Sequence, residues 1–141
     1  RSAGCFKIQF GMESGNDEVF QKIGKNTPTQ RIENALSIGS GLGMEINLSF
    51  IIGHAWDTLK TIENSFEFAL KMRNLYQANI LCSINTPYPG TFNYNHRNEL
   101  GIKLLTQKWD HYRMNSSVMD TQFLDHLTLN KLFYEFYSNL K

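Results

Sequence analysis

Three short segments concentrate the groups that can bind or react. They are Gly11-Met12-Glu13-Ser14-Gly15, Gly53-His54-Ala55-Trp56-Asp57 and the stretch 85–91, Asn-Thr-Pro-Tyr-Pro-Gly-Thr. Glu13 and Ser14 offer a carboxylate and a hydroxyl that can accept and donate hydrogen bonds, for instance to ribose hydroxyls. The competing roles are plain: Ser14 as a helix cap, Glu13 as a solvated charge. Lys25, just after Gly24, can reach a carboxylate, although a lone loop lysine is more often solvated. Asn47 and Ser49 share one strand face, where they can line a cavity or satisfy their hydrogen bonds within the core. His54, Trp56 and Asp57 suggest a metal or acid–base cluster. One His and one Asp are too few for a closed zinc site, so His54 suits a loop position or a substrate contact. Cys5 and Cys82 cannot build a disulfide framework. Nor can two thiolates hold an iron–sulfur cluster by themselves. No Walker A loop, GxGxxG, GxSxG or HExxH motif is present.

These segments need elements to position them. Residues 6–10 alternate, placing Phe6, Ile8 and Phe10 on one strand face. Ser14 or Asn16 can cap a short helix over 17–23, with Val19, Phe20 and Ile23 inward and Gly24 as its stop. Thr27, Pro28 and Gln30 have the spacing of a capping box with proline at the first helical position. Ile32, Ala35, Leu36 and Leu42 follow at helical intervals, and Gly43 ends that helix. Residues 46–52 read as a second strand, apolar enough at its end to be buried on both faces. Asp57 or Thr58 caps a third helix with Ile62, Phe66, Ala69, Leu70 and Arg73 on one face. Residues 80–84 are a third strand. Beyond the loop at 85–91, residues 93–101 read as a short helix or irregular structure, 104–112 as part helical and 115–125 as loop. Thr128 caps a last helix with Leu129, Leu132, Phe133, Phe136 and Leu140 on one face.

Crossovers of this length join parallel strands with right-handed connections. The fold class is α/β: three βα units, forming a small open sheet or part of a (β/α) TIM-like barrel, plus a C-terminal helical segment. Ligands of such folds bind at the carboxyl ends of the strands, where the three segments above all lie.

The composition narrows the function classes. A length of 141 residues suits one domain. Fourteen Lys and Arg against 13 Asp and Glu leave a net charge of +1, with no basic footprint for nucleic acid. A hydrophobic share of 41% excludes a wholly disordered chain. No apolar run approaches the roughly 20 residues that span a bilayer, and no signal-peptide pattern opens the chain. The cytoplasm is the expected compartment. The chain begins at Arg1 and enters strand-like sequence almost at once, as an excised piece of a longer protein would.

The motifs, taken in order, carry a resemblance. The stretch 3–53, AGCFKIQFGMESG to NLSFIIG, resembles the second half of the catalytic barrel of radical SAM enzymes. It is most similar to the subgroup often preceded by a cobalamin-binding domain, which includes methyltransferases and anaerobic Mg-protoporphyrin ester cyclases. The Gly-x-Glu-Ser-Gly strand end of that group is matched by Gly11, Glu13, Ser14 and Gly15. Its basic residue before a Thr-rich helix start is matched by Lys25 and Thr27, and its apolar strand end plus glycine by Phe50, Ile51, Ile52 and Gly53. Pro87 to Thr91 match a Pro-Tyr-Pro-Gly-Thr segment, and Trp109 and Tyr112 a later Trp-x-x-Tyr.

The resemblance implies a half barrel over 1–105 and a helical extension over 106–141. It implies S-adenosylmethionine as cofactor, with Glu13 and Ser14 near its ribose or amino-acid part and Lys25 near its carboxylate. Ser49 would face the same cavity, and the backbone at Gly53 would flank the adenine. His54, Trp56 and Tyr88 would face a small-molecule substrate. Two departures stand out. The usual x-Pro-Gly-Glu-Thr after Gly53 is replaced by His54-Ala55-Trp56-Asp57-Thr58, and the CxxxCxxC motif is absent. By the resemblance, a 4Fe-4S cluster belongs to the full-length parent only, where cobalamin is also an open question. The isolated chain should then be inactive.

The leading expectation is therefore a fragment of a radical SAM oxidoreductase or methyltransferase. The alternative is a non-catalytic assembly module that pairs its half barrel with another chain. A half barrel exposes an unpaired strand edge, so self-association is expected, with neither nucleic acid nor membrane as a partner.

Overall fold

A strand with one covered face alternates strictly, and the second strand shows this. In the computed structural model, which describes residues 1–25 and 27–139, strand β2 spans Glu45–Ile52. Ile46, Leu48, Phe50 and Ile52 are buried, while Asn47, Ser49 and Ile51 between them are only half-buried. Burial on both faces was expected from the apolar run; the polar Asn47 and Ser49 instead set an alternation with one open face. Strand β1 (Lys7–Glu13) pairs parallel with β2, with Lys7 opposite Glu45 and Gly11 opposite Ser49. Strand β3 (Asn79–Ile84) completes a three-stranded parallel sheet in the order β1-β2-β3. Phe6 falls before β1 and is exposed, and the strand continues through Gly11 to Glu13, further than the alternation alone suggests.

The helices between strands supply the cover. Helix α1 is Asp17–Lys22, and the Asn16 side chain accepts the Val19 amide as its cap. Helix α2 is Thr29–Gly41. The expected capping box does not form. Pro28 occupies the cap position, and the Thr29 amide donates to the Asp17 carboxylate at 3.2 Å instead. The helix ends as expected at Gly43, whose amide reaches Ser40 while that of Met44 reaches Gly39, the paired bonds of a Schellman stop. Helix α3, Leu59–Tyr76, buries Ile62, Ser65, Ala69 and Met72. Ser65 and Met72 were not among the residues expected on its inner face, and Arg73 is only half-buried.

The chain divides into two compact units. The first comprises residues 1–50 and 60–82, with Met12, Phe20, Leu36, Leu48 and Ile62 among its fully covered side chains. Truncating one such leucine or isoleucine to alanine costs about 2–5 kcal/mol. The second unit comprises residues 51–59 and 83–141. It contains helix α4 (Phe92–Asn95), strands β4 (Lys103–Leu104) and β5 (Met119–Asp120) in an antiparallel pair, a 3-10 turn over Trp109–His111, and helix α5 (His126–Asn139). The stretch expected as loop around 119–120 thus forms a strand, and 103–104 pairs with it rather than starting a helix. Leu129, Phe133 and Phe136 are buried on α5. Thr128 does not cap this helix: its amide donates to Asp125 at 2.7 Å, so Asp125 holds the cap position. Leu140 lies outside the described residues. No helix among the described residues is long and apolar enough to cross a membrane.

Candidate functional site

The end of β1 departs from regular strand geometry. Gly11 pairs with Ser49, but the next registered partner of Phe50 is Glu13, so the strand bulges between Gly11 and Glu13. Glu13 has φ of 63°, and the Ser14 amide closes onto the Met12 carbonyl at 2.8 Å around it. A hydrogen bond spanning three residues about a positive φ is the strained form of the γ-turn. A non-glycine residue in that region costs on the order of 1–3 kcal/mol, and such strain persists only when neighbours hold it.

Those neighbours are named side chains. The Glu13 carboxylate folds back over Gly11, where a β-carbon would stand 2.5 Å from Glu13 Oε1. The Lys25 ammonium lies 3.6 Å from that oxygen and donates to the Gly11 carbonyl at 3.3 Å. Glu13 is about one-fifth exposed and Lys25 nearly half, at 21% and 44% of their side-chain surfaces. The pair is therefore open to a ligand and screened by water, and contributes no more than about 1 kcal/mol to stability. Ser49 sits beside Gly11 in register and donates its hydroxyl to the Phe10 carbonyl at 3.3 Å. Ser14 differs from these. It is buried at 1% exposure, with its hydroxyl 3.3 Å from that of Ser65 and accepting the Asn16 amide. Of the four residues of this unit that the resemblance assigns to the cofactor, Glu13 and Lys25 meet, Ser49 adjoins the glycine beneath them, and Ser14 turns into the protein.

The second unit holds the remaining ones. Asp57 is buried and its Oδ2 accepts the amides of Gly53 and His54, both at 2.9 Å, while its own amide donates to the His54 carbonyl. One carboxylate thus ties a loop that lacks the expected Pro-Gly pair. The Asn85 side chain donates to the Gly53 carbonyl at 3.3 Å. His54 is buried, at 7% exposure. Trp56 packs half-buried against Ala55, Ile102 and Met119. Tyr88 joins a different group: its ring centroid is 5.9 Å from that of Tyr112, which stands 4.9 Å from that of Trp109. Burial pushes the Tyr112 phenol up, helped by Tyr94, so the hydroxyl stays protonated and donates to the Thr106 carbonyl at 3.1 Å. Tyr88 and Trp109 are half-exposed.

A cation and a carboxylate side by side over Gly11 can pair with a ligand that carries both a carboxylate and an ammonium. An iron–sulfur cluster does not fit the residues present. Cys5 is exposed and Cys82 is buried in β3, and among the described residues no three His, Cys, Asp or Glu side chains gather. Ser65, which sequence reasoning passed over, is the further residue that touches this strand end. Its only signal was a serine on the inner face of an amphipathic helix.

No family model matches the sequence. The chain is similar to an uncharacterized methyltransferase of Pyrococcus horikoshii, with 31% identity over 139 residues. That match takes in 97% of this chain and 29% of the relative, so the chain spans less than a third of the curated protein it matches.

Proposed function

We propose that this chain supplies the S-adenosylmethionine-binding strand ends of a methyltransferase of the radical SAM type, with residues 1–105 as the C-terminal half of its (β/α) barrel. The observation that carries the reading is the Glu13–Lys25 pair held on the strained end of β1. Lys25 takes the cofactor's carboxylate, and Glu13 takes its ammonium or the ribose hydroxyls, both as charge-assisted hydrogen bonds. Ser49 extends that contact surface, and by the resemblance alone the Gly53 backbone of the second unit serves the cofactor and His54, Trp56 and Tyr88 serve the small-molecule substrate. The similarity over nearly the whole chain to a protein named as an uncharacterized methyltransferase supports a methyl-donor cofactor. When bound, that cofactor supplies the reactive group, and the protein orients it and excludes water.

With only Cys5 and Cys82 available, a cluster of the radical type would take its thiolates from elsewhere in a longer protein, as cobalamin would take its own domain. This chain by itself is then inactive in radical chemistry. The test is calorimetric titration with S-adenosylhomocysteine, which binds without reacting. The wild-type chain should bind saturably, and E13Q and K25Q should each weaken binding about tenfold or more. No saturable binding by the wild type, or unchanged binding in both variants, overturns the reading.

A further inference from the structure

Ser65 lies in the middle of α3, fifty residues from Gly15 in sequence, and is 3% exposed. Its hydroxyl has one proton and two acceptor sites, and each is used. The proton goes to the Thr61 carbonyl at 3.1 Å. One acceptor site takes the Gly15 amide at 2.9 Å. The other takes the Ser14 hydroxyl at 3.3 Å, because the Ser65 proton is already committed. Ser14 in turn accepts the Asn16 amide. Both hydroxyl protons are committed in this arrangement, and all three sites of the Ser65 hydroxyl are used. It seizes the two residues that directly follow Glu13. Gly15 makes the approach geometrically possible: a β-carbon there would stand 2.8 Å from Ser65 Cα and 2.8 Å from Phe68 Cβ.

We propose that Ser65 is the positioning residue that holds Glu13 in its left-handed conformation, by fixing Ser14 and Gly15 against α3. Without it, the Ser14 amide is no longer kept over the Met12 carbonyl, Glu13 relaxes to negative φ, and its carboxylate leaves Gly11 and Lys25. This rests on the reading of Glu13 as a cofactor contact only for its consequence in binding. The conformational effect stands independently.

The test is nuclear magnetic resonance of the isotope-labelled chain. In the wild type, Glu13 should show the strong intraresidue amide-to-α-proton contact that a positive φ produces. In Ser65→Ala this signature should vanish while far-UV circular dichroism keeps the helix content, and Ser65→Thr, which restores a hydroxyl, should recover it. S-adenosylhomocysteine should bind S65A about tenfold more weakly. A folded S65A that keeps the Glu13 signature overturns the proposal. A lost signature with unchanged affinity upholds the positioning role and overturns the reading of Glu13 as a cofactor contact. Should S65A fail to fold, Ser14→Ala removes one of the two bonds to Ser65 and keeps the Gly15 bond. A partly weakened Glu13 signature there supports the proposal, and an intact one refutes it.

Discussion

Asp17, the first residue of α1, accepts the amide of Thr29, the first residue of α2, at 3.2 Å. One helix thus caps the next, across the loop that carries Lys25. Losing a cap of this kind costs about 1 kcal/mol. Asp17→Ala should lower the unfolding free energy read from denaturant titration by that amount, while Thr27→Ala leaves it unchanged. Equal losses in the two variants would return the cap to Thr27.

Gly11 and Gly15 should respond differently to alanine. The contact at Gly11 is with Glu13 Oε1, the end of a side chain that can swing away. Gly11→Ala should therefore cost less than about 1 kcal/mol of stability while displacing the carboxylate and weakening cofactor binding. At Gly15 the obstacles are Ser65 Cα and Phe68 Cβ, which cannot move alone. Gly15→Ala should cost about 1–3 kcal/mol through overpacking. Thermal unfolding of the two variants checks the order, and a more damaging Gly11→Ala would contradict it.

The start of α5 makes the fold sensitive to acid. Burial would raise the Asp120 carboxyl, but the hydrogen bonds from the His126 ring and amide, with the charges of His126 and Lys103, outweigh it and lower it. Asp125 is lowered by the amide of Thr128 first and by its side chain second. Both groups thus bind protons less readily folded than unfolded. The stability they contribute is complete above the ordinary aspartate value of about 4 and drains away as pH falls through the lowered values. The double variant D120N/D125N should be less stable than wild type at neutral pH and should lose less stability between neutrality and pH about 3. Parallel stability curves would remove these two groups from the acid response.

The sheet order leaves β1 and β3 as outer strands. Phe6 before β1 and Leu81 on β3 are exposed, at 65% and 43%. Outer strands beside exposed apolar side chains favour association of chains. Light scattering should show the apparent mass rising with protein concentration. A monomer at every concentration would refute self-association.

The local alphabet of this protein is written in its sequence. An apolar run marked β2, helical spacing set α2 and α3, Asn16 capped α1, and Gly43 stopped α2, because each depends on residues within a turn or two of one another. Glu13 and Lys25 were legible only as candidates, singled out by the resemblance; that they meet over Gly11 was not visible in the sequence. What the tertiary structure alone decided involves partners distant in sequence or competing caps of equal local merit. Thr27 and Asp17 are both good acceptors, and only the packing of α1 beside α2 selects Asp17. Thr128 and Asp125 pose the same choice, settled by where β5 delivers the chain. The buried fate of Ser14 and the strained φ of Glu13 were invisible, because both depend on a serine fifty residues away whose hydroxyl has no local partner role to announce it. Periodicity reports which face is apolar. It does not report which polar group on that face has been enlisted to hold another in place.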